Sequence, residues 1–382
     1  MKILFLSSNP PTYIHSYSHN LVLYFLIKEA AKFHKVYLAT TTKEDVKKGK
    51  YFEYLGDYSN KLIIKKKFFN FEYEFIDNEN ILKKLKINEM DKIILFWDTW
   101  FDLLNFGKYS KNVISYLAKP RFSNDLSRTF YQFSNNLMST LLKPRKIFNL
   151  LNLIMLKNLH YKRLKKFKKN LNICNIDTKK TLDNKVNCQY CPNTWPDFFD
   201  QSAIKKRKKI NKKKINILAN MGNLQSTGNK IGLTYLNVNI LPNLYKYKNI
   251  SINIYGSGKI EKDLLRFNFL KFKGFVKNIN LELLKNQIFL LCNNTGYHYG
   301  GYTRVIFMMS SGGVLIADKK LKKSMPELVH MKNCLLSSNK TQMLENIDIA
   351  INNYELREFI GINARNTYEE NWSPEKVLQR II

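Results

Sequence analysis

The chain has 382 residues, which is too long for one ordinary domain and suits two. Its 45% apolar and 13% aromatic content excludes a largely disordered chain, because that much apolar surface can bury real cores. Lys and Arg outnumber Asp and Glu by 63 to 30, and a formal net charge of +33 favours nucleic acid, acidic membranes or phosphorylated small molecules as partners. The abundance of Asn, Ile, Phe and Tyr also fits compositional drift that places Lys at surface positions, so charge alone does not choose among these partners.

The cysteines and apolar runs bear on the compartment. An odd number of cysteines is unsuited to a disulfide scaffold and fits a reducing cytosol. The five are Cys174, Cys188, Cys191, Cys292 and Cys334. The second and third have metal-type spacing, but no second pair and no nearby His completes a zinc site. The first apolar run is four residues long and no run reaches 18, so we expect neither a signal peptide nor a membrane span, and a cytoplasmic protein.

The first half alternates short apolar runs with helical patterns. Unbroken apolar runs are typical of parallel strands buried on both faces, and their alternation with helices predicts a doubly wound sheet. The predicted strands are 2–7, 36–39, 92–96, 171–174 and 185–190, and the predicted helices are 18–33 and 126–169 with a break at Pro144.

A lysine-rich stretch separates the two halves. Residues 203–214 cannot build a core and are interpreted as a charged linker. The alternation then restarts, which predicts a second α/β domain. Its predicted strands are 215–219, 250–255, 288–292 and 314–317, and its predicted helices are 230–241, 260–267 and 303–311.

Two loops of the second half follow strands and contain glycine. Ligands of open α/β sheets bind beyond the carboxyl ends of the strands, where such loops lie. The loop 221–230 contains Gly222, which allows close backbone approach, and Lys230, which offers a charge at a helix start. The loop 256–258 is a Gly-Ser-Gly turn, a pattern that binds nothing in most proteins.

A third loop, 293–304, carries the most information. The free N–H groups and the dipole of a helix that begins at Thr303 favour an anion, and the donor fork of Arg304 matches phosphate oxygens. The ordinary alternative is that Gly300 and Gly301 form a plain strand-to-helix turn and that Arg304 is a solvated surface charge.

Further motifs extend these loops into a collinear series. Its members are Gly222, Ile240-Leu241-Pro242, Gly256-Ser257-Gly258, 272–276, 300–306 and 310–317, with Pro192-Asn193 and 371–374 at the flanks. The series resembles the donor domain of GT-B glycosyltransferases of the group 1 (family 4-like) type. The resemblance covers nearly the whole chain and implies an α/β fold of two Rossmann-like, doubly wound domains that face each other across a cleft. It implies an acceptor-binding domain 1–200, a basic linker 201–214, a nucleotide-sugar-binding domain 215–365 and a C-terminal helix 366–382 that returns to the first domain.

The resemblance also implies donor-binding residues. They are Gly222, Asn223, Lys230, Gly256, Gly258, Phe275, Val276, Gly300, Gly301, Tyr302, Thr303 and Arg304. Asn223 stands where the family has an Arg, and the backbone around Phe275 and Val276 falls where the family reads the nucleotide base. The two carboxylates of the family's E-x7-E pattern are replaced by Tyr299 and Phe307, the latter where a Glu commonly holds the ribose hydroxyls.

The first domain is expected to supply the acceptor side. Asp125 is the candidate catalytic acid/base or orienting group, and its alternative role is the N-cap of a helix beginning near residue 126. Asp98 is the rival. His15 and His19 are acceptor-binding candidates in a loop that lacks the family's Gly-Gly, and their alternative role is as surface residues.

These expectations define a function. The hypothesis is a nucleotide-sugar-dependent glycosyltransferase of hexosyltransferase type, working without a metal or other cofactor on a saccharide or lipid-linked hydroxyl acceptor, in cell-surface polysaccharide or glycolipid synthesis. The sequence has no Asp-x-Asp metal motif, and the resemblance implies retention of the anomeric configuration. Aimed cations and helix dipoles would take the place of a metal at the leaving diphosphate.

Three alternatives stay open. The apolar and basic stretch 143–169 is either a segment that binds an anionic membrane surface or an ordinary buried helix. The loss of both family carboxylates suits a GT-B protein that binds without turnover. A basic nucleic-acid-binding protein, using the tract 205–214, is disfavoured because no stacking platform or helix-turn-helix pattern is present.

Overall fold

The computed structural model describes residues 1–13, 18–41, 50–58, 63–68, 71–76, 79–97, 100–118, 144–200, 202, 204, 214–292 and 302–382. The chain divides into two compact units. The first comprises Met1–Pro192 together with Val377–Ile382, and the second comprises Asn193–Lys376. Within the described ranges, no helix is both long and apolar enough to cross a membrane.

The first unit is built on a parallel sheet. Its strands are β1 (Lys2–Ser7), β2 (Lys35–Thr40), β3 (Glu53–Asp57), β4 (Ile63–Phe68), β5 (Phe71–Ile76), β6 (Lys92–Phe96), β7 (Val113–Leu117), β8 (Lys169–Asn172) and β9 (Gln189–Tyr190). The sheet order is β3-β2-β1-β6-β7-β8-β9, and β4 and β5 form a separate antiparallel pair. β1 and β6 are buried almost throughout, as expected for strands covered on both faces.

Helices connect these strands. They are α1 (Ser18–Ala30), α2 (Glu79–Lys84), α3 (Pro144–Leu164) and α4 (Asn175–Asp183). The last residues of the chain also belong to this unit, where Lys92 Nζ donates to the carbonyl of Ile382 at 2.7 Å and Lys169 Nζ donates to the carbonyl of Arg380. Cations therefore meet the free carbonyls of the final helix, where they are favoured by the helix dipole.

The second unit has its own parallel sheet. Its strands are β10 (Ile215–Asn220), β11 (Ile250–Tyr255), β12 (Leu270–Gly274), β13 (Ile288–Leu291), β14 (Val314–Asp318) and β15 (Leu335–Ser337), in the order β12-β11-β10-β13-β14-β15. Its helices are α5 (Thr227–Tyr235), α6 (Ile279–Lys285), α7 (Thr303–Ser310), α8 (Leu321–Ser324), α9 (Lys340–Asn352) and α10 (Tyr354–Asn371). The final helix, α11 (Pro374–Ile381), begins at the end of the second unit and belongs from Val377 onward to the first.

The strand orders confirm the predicted fold class. In each unit the first three strands run outward in one direction and the later strands, four in the first unit and three in the second, run outward in the other. This is the order of a doubly wound sheet, 3-2-1-4-5-6 in the second unit with one further strand in the first. The direction reverses between β1 and β6 in the first unit and between β10 and β13 in the second. In doubly wound sheets ligands bind at such a reversal, beyond the carboxyl ends of the strands.

Polar and aromatic side chains attach the first residues of the second unit to α10. The Arg365 guanidinium on α10 donates to Asp197 at 2.8 Å and to Glu369 at 2.6 Å. Tyr368 Oη donates to the carbonyl of Trp195 at 2.8 Å. The chain just after residue 192 is thereby held against α10.

The bounds of several predicted elements differ from the structure, and two elements, 260–267 and 185–190, differ most. The stretch 260–267 is a 3₁₀ turn over Lys262–Arg266 because the backbone of Phe267 is already extended and leads into β12. The predicted strand 185–190 is reduced to β9, since Lys185 has a left-handed backbone with φ of 59°.

Candidate functional site

The carboxyl ends of β10, β11 and β12 are lined by close backbone contacts. Gly222, Gly256 and Gly274 follow or end these strands and all have positive φ, of 107°, 142° and 66°. A Cβ on Gly256 would lie 1.8 Å from the carbonyl oxygen of Gly222, so only glycine fits there. The N–H of Gly256 donates to the carbonyl of Gly274 at 2.8 Å. These three residues, named the glycine edge, leave backbone bare of side chains beside the strand reversal.

Arg304 reaches this edge from α7. Its Nη1 donates to Asn229 Oδ1 at 2.9 Å and to Asn220 Oδ1 at 3.4 Å. Asn220 ends β10 and Asn229 lies in the first turn of α5, whereas α7 follows β13 along the chain. The guanidinium therefore lies at the point where β10 and β13 diverge. A Cβ on Gly222 would be 3.6 Å from Arg304 Nη2, so the cation also adjoins the glycine edge.

The charge of Arg304 is not neutralised by any described carboxylate: its hydrogen bonds in the described ranges are to amide oxygens. The loops 221–229, 256–260, 275–278 and 293–301 contain no Asp or Glu in the sequence. Burial lowers the pKa of the Arg304 guanidinium from its ordinary value, because the charged form is poorly solvated there. A partly buried cation without a counter-charge, beside bare backbone, is suited to an anionic ligand.

Asn223 and Lys230, two of the predicted donor-binding residues, follow β10 along the chain. The carbonyl of Asn223 accepts from Asn229 Nδ2 at 2.7 Å, and Asn223 Oδ1 accepts from the N–H of Gln225 at 2.9 Å. The Asn223 side chain thus stabilises its own turn. Lys230 is exposed on α5, and Gly258 approaches Gln225 closely enough that a Cβ would lie 3.1 Å from that side chain.

The loop after β12 presents an aromatic side chain. Phe275 is 68% exposed, and Val276 beside it packs on the core. Because β12 is hydrogen-bonded to β11 and β11 to β10, Phe275 stands two strands from the Gly222 turn. Adjacent strands are about 4.8 Å apart, so this separation is roughly 10 Å.

Phe307 takes a structural place in the core. It is 4% exposed and lies on α7 against Phe199 and Trp195, with ring centroids 6.0 Å and 5.4 Å away. This is the position at which the resemblance implies a ribose-binding Glu. Here the side chain packs α7 against the segment that begins the second unit.

The structure brings together some of the predicted residues and adds two. Arg304, Gly222 and Gly256 are collected around one point, and Tyr302 and Thr303 form the start of α7 beside it. Five predicted residues lie outside the described residues: His15, Asp98, Asp125, Gly300 and Gly301. Asn220 and Asn229, which hold Arg304, were missed by the sequence reasoning. The available signal was an asparagine at each end of the Gly222 loop.

The first unit has a histidine at its own strand reversal. His19 Nε2 and Ser7 Oγ are 2.9 Å apart, and the Ser7 hydroxyl donates to the carbonyl of Asn9 at 2.9 Å. Since a hydroxyl has one proton, His19 Nε2 must be the donor and Nδ1 the lone-pair nitrogen. The ring lies 5.1 Å and 5.0 Å from the rings of Phe96 and Trp97. Burial lowers the pKa of His19 to about 4, so the imidazole is neutral near pH 7.

No group of three or more His, Cys, Asp or Glu side chains among the described residues is placed to hold a metal ion. The five cysteines are buried and free, and burial raises the pKa of the Cys188 thiol to about 12.

The depressed pKa of His19 predicts a pH dependence of stability. The unfolded chain binds more protons than the folded chain between pH 4 and pH 6.5, so stability rises with pH across this window. The contribution is complete above pH 6.5 and is lost as the pH falls to about 4; a shift of this size corresponds to about 3 kcal/mol. The free energy of unfolding, measured in urea at pH 4.5 and at pH 7.5, should differ less between the two pH values for His19→Gln than for the wild type. Equal differences would contradict the assignment.

Comparisons with known proteins identify the fold. No protein-family model and no curated protein matches this sequence. Among solved structures, the chain is similar to HepE of Anabaena in complex with UDP and glucose (TM-score 0.61, 13% identity, 100% of this chain and 98% of that chain). It is also similar to WaaG, a glycosyltransferase involved in lipopolysaccharide biosynthesis (TM-score 0.61, 13% identity, 99% of both chains). A third is the sucrose-phosphate synthase of Thermosynechococcus elongatus (TM-score 0.58, 11% identity, 99% of this chain and 96% of that chain). The predicted resemblance is confirmed at the level of the fold: the chain has the GT-B fold of glycosyltransferases.

Proposed function

We propose that this protein is a glycosyltransferase that uses a nucleotide-sugar donor. The observation that carries the proposal is the Arg304 cation at the reversal between β10 and β13, held by amide oxygens and placed beside the glycine edge. A donor diphosphate supplies the negative charge that this site lacks. The similarity to a solved structure that contains UDP and glucose supports the same class of ligand.

The chemistry assigned to the site follows from where charge develops. The bond between the sugar C1 and the diphosphate oxygen breaks, and the nucleoside diphosphate leaves with the bonding electron pair. The acceptor hydroxyl oxygen forms the new bond to C1 and loses its proton to a base, for which Asp125 is the candidate. Arg304 and the start of α7 at Thr303 stabilise the growing charge on the leaving group. Exposed Phe275 offers its ring to the nucleotide base.

Removal of the Arg304 charge should weaken nucleotide binding. We expect Arg304→Gln to bind UDP at least tenfold more weakly than the wild type, because a charge-assisted hydrogen bond is worth about 1.5–3 kcal/mol. Isothermal titration calorimetry measures the affinity, and the rate of UDP release from UDP-glucose measures turnover. Arg266→Gln, which changes an exposed arginine of the same unit, is the control. Unchanged affinity and rate for Arg304→Gln would reject the proposal.

We further propose that transfer proceeds without a bound metal and with retention of configuration. The charge-stabilising groups named above belong to the protein itself, and retention is implied by the resemblance of the sequence motifs. Donor cleavage should therefore continue at an unchanged rate in EDTA. NMR of the first product from an α-linked UDP-sugar should show the α-anomer. Loss of activity in EDTA, restored by Mg²⁺ or Mn²⁺, or a β-anomer as the first product, would contradict these assignments.

We also propose that the acceptor is lipid-linked and that α3 contacts an anionic membrane surface. Residues 151, 155, 158 and 162 lie along one exposed stripe of α3, which begins with Leu151 and Met155, 58% and 50% exposed, and ends with Lys162. Exposed Lys165 and Lys166 follow it. A buried contact between His160 Nδ1 and Asp102 Oδ2, 2.6 Å apart, fixes the opposite side of the helix. An apolar face beside lysines suits a surface of acidic lipid headgroups.

Vesicle flotation tests the α3 surface. The protein should float with vesicles of phosphatidylcholine and phosphatidylglycerol more than with phosphatidylcholine alone. The double variant Leu151→Glu, Met155→Glu should lose this binding, because two charges replace the apolar contacts. Leu182→Glu, which changes a 46% exposed leucine on α4 of the same unit, should float like the wild type. Two results would overturn the assignment: equal flotation with and without phosphatidylglycerol, or flotation of the double variant equal to that of the wild type.

A second candidate function is favoured by Phe307. Its place in an aromatic core cluster, where the resemblance implies a ribose-binding Glu, suits a GT-B protein that binds a nucleotide sugar without turnover. The two candidates share the Arg304 site and differ in catalysis. Binding of UDP-glucose with no release of UDP in the presence of a mixed glycan and glycolipid acceptor panel would favour the second.

A further inference from the structure

Asn220 is the last residue of β10 and is 5% exposed. Its Oδ1 accepts a hydrogen bond from Arg304 Nη1 at 3.4 Å. Its Nδ2, attached to the same carbon, is buried and has no hydrogen-bond partner within the part of the chain that the structure describes. One half of this amide is thus used and the other half is a donor without an acceptor.

Asn229 shows the contrast. Its Oδ1 accepts from Arg304 and its Nδ2 donates to the carbonyl of Asn223 at 2.7 Å, so both halves of this amide have partners. The hydrogen bonds within the protein therefore account fully for the Asn229 amide. The orphaned donor on Asn220 has no such structural explanation, and an unmade buried hydrogen bond destabilises the free protein.

An anion at Arg304 would supply the missing acceptor. The Asn220 amide contacts the same guanidinium that a phosphate oxygen would contact, and phosphate oxygens accept several hydrogen bonds at once. The amide is also neutral. A carboxylate at this place would pair with Arg304 and cancel the charge, whereas an asparagine orients the guanidinium and leaves its charge for the ligand.

We propose that Asn220 is a second ligand of the donor diphosphate, donating from Nδ2 to a phosphate oxygen, and that its neutrality sets the charge of the site. The inference rests on the proposed function, since the diphosphate is the donor's. It adds a binding residue on β10 and a reason for an amide at that position.

Asn220→Asp is the decisive variant. Aspartate has nearly the shape of asparagine, removes the orphaned donor and forms an ion pair with Arg304. We expect the melting temperature to be equal to or higher than that of the wild type, and the affinity for UDP and for inorganic pyrophosphate to fall about a hundredfold, because the ligand loses a donor and meets a neutralised cation. A residue with only a structural role would not raise stability and lower affinity together.

Two further variants complete the design. Asn220→Leu removes the donor without adding charge and should weaken both ligands roughly tenfold. Asn216→Asp makes the same chemical change at the other end of β10, where Asn216 Nδ2 donates to the carbonyl of Lys285, and should bind both ligands like the wild type.

The outcomes separate the inference from the proposed function. Wild-type affinity in Asn220→Asp and Asn220→Leu, with lost affinity in Arg304→Gln, would overturn the inference and leave the proposed function standing. Should Asn220→Asp fail to fold, wild-type affinity in Asn220→Leu alone would overturn it. A wild-type protein that binds neither UDP nor pyrophosphate would overturn both.

Discussion

One electrostatic condition governs the second unit: a guanidinium is held in place without a counter-charge from any carboxylate that the structure describes. Arg304 is oriented by the amide oxygens of Asn220 and Asn229, and burial disfavours its charged form. Such an arrangement costs stability in the free protein, because neither solvent nor a carboxylate compensates the cation fully. Under the proposed function, the donor diphosphate brings the missing negative charge. Gly222 of the glycine edge lies beside this cation, since a Cβ there would be 3.6 Å from Arg304 Nη2.

The order of the strands explains why these residues meet. β10 and β13 are neighbours in the sheet at the point where the strand order reverses, and side chains from α5 and α7 meet at the end of β10. The first unit repeats the strand order, and its reversal between β1 and β6 holds His19 among Ser7, Phe96 and Trp97. One reversal thus holds a cation, and the other holds a neutral imidazole with an available lone pair.

The sequence predicts the buried strands well and the site in part. β1, β6 and β11 have the predicted bounds, because burial on both faces demands an unbroken apolar run. The edge strands β3 and β12 escape such an analysis, since half-exposed strands mix Glu, Lys and Gly with apolar residues. Arg304 and the glycines could be predicted from loop composition. Asn220 and Asn229 are marked only by their places at the two ends of the Gly222 loop, because an amide that orients a cation leaves no charge pattern in the sequence.

The packing of Phe307 limits what can be achieved by restoring the family motif. A carboxylate introduced at this position would be enclosed by the rings of Trp195, Phe198 and Phe199 and shielded from water, which disfavours its charged form. A substitution of Phe307 by Glu alone would therefore disrupt the packing of α7 against the start of the second unit. A redesign that places a carboxylate at this position has to exchange the whole aromatic cluster together.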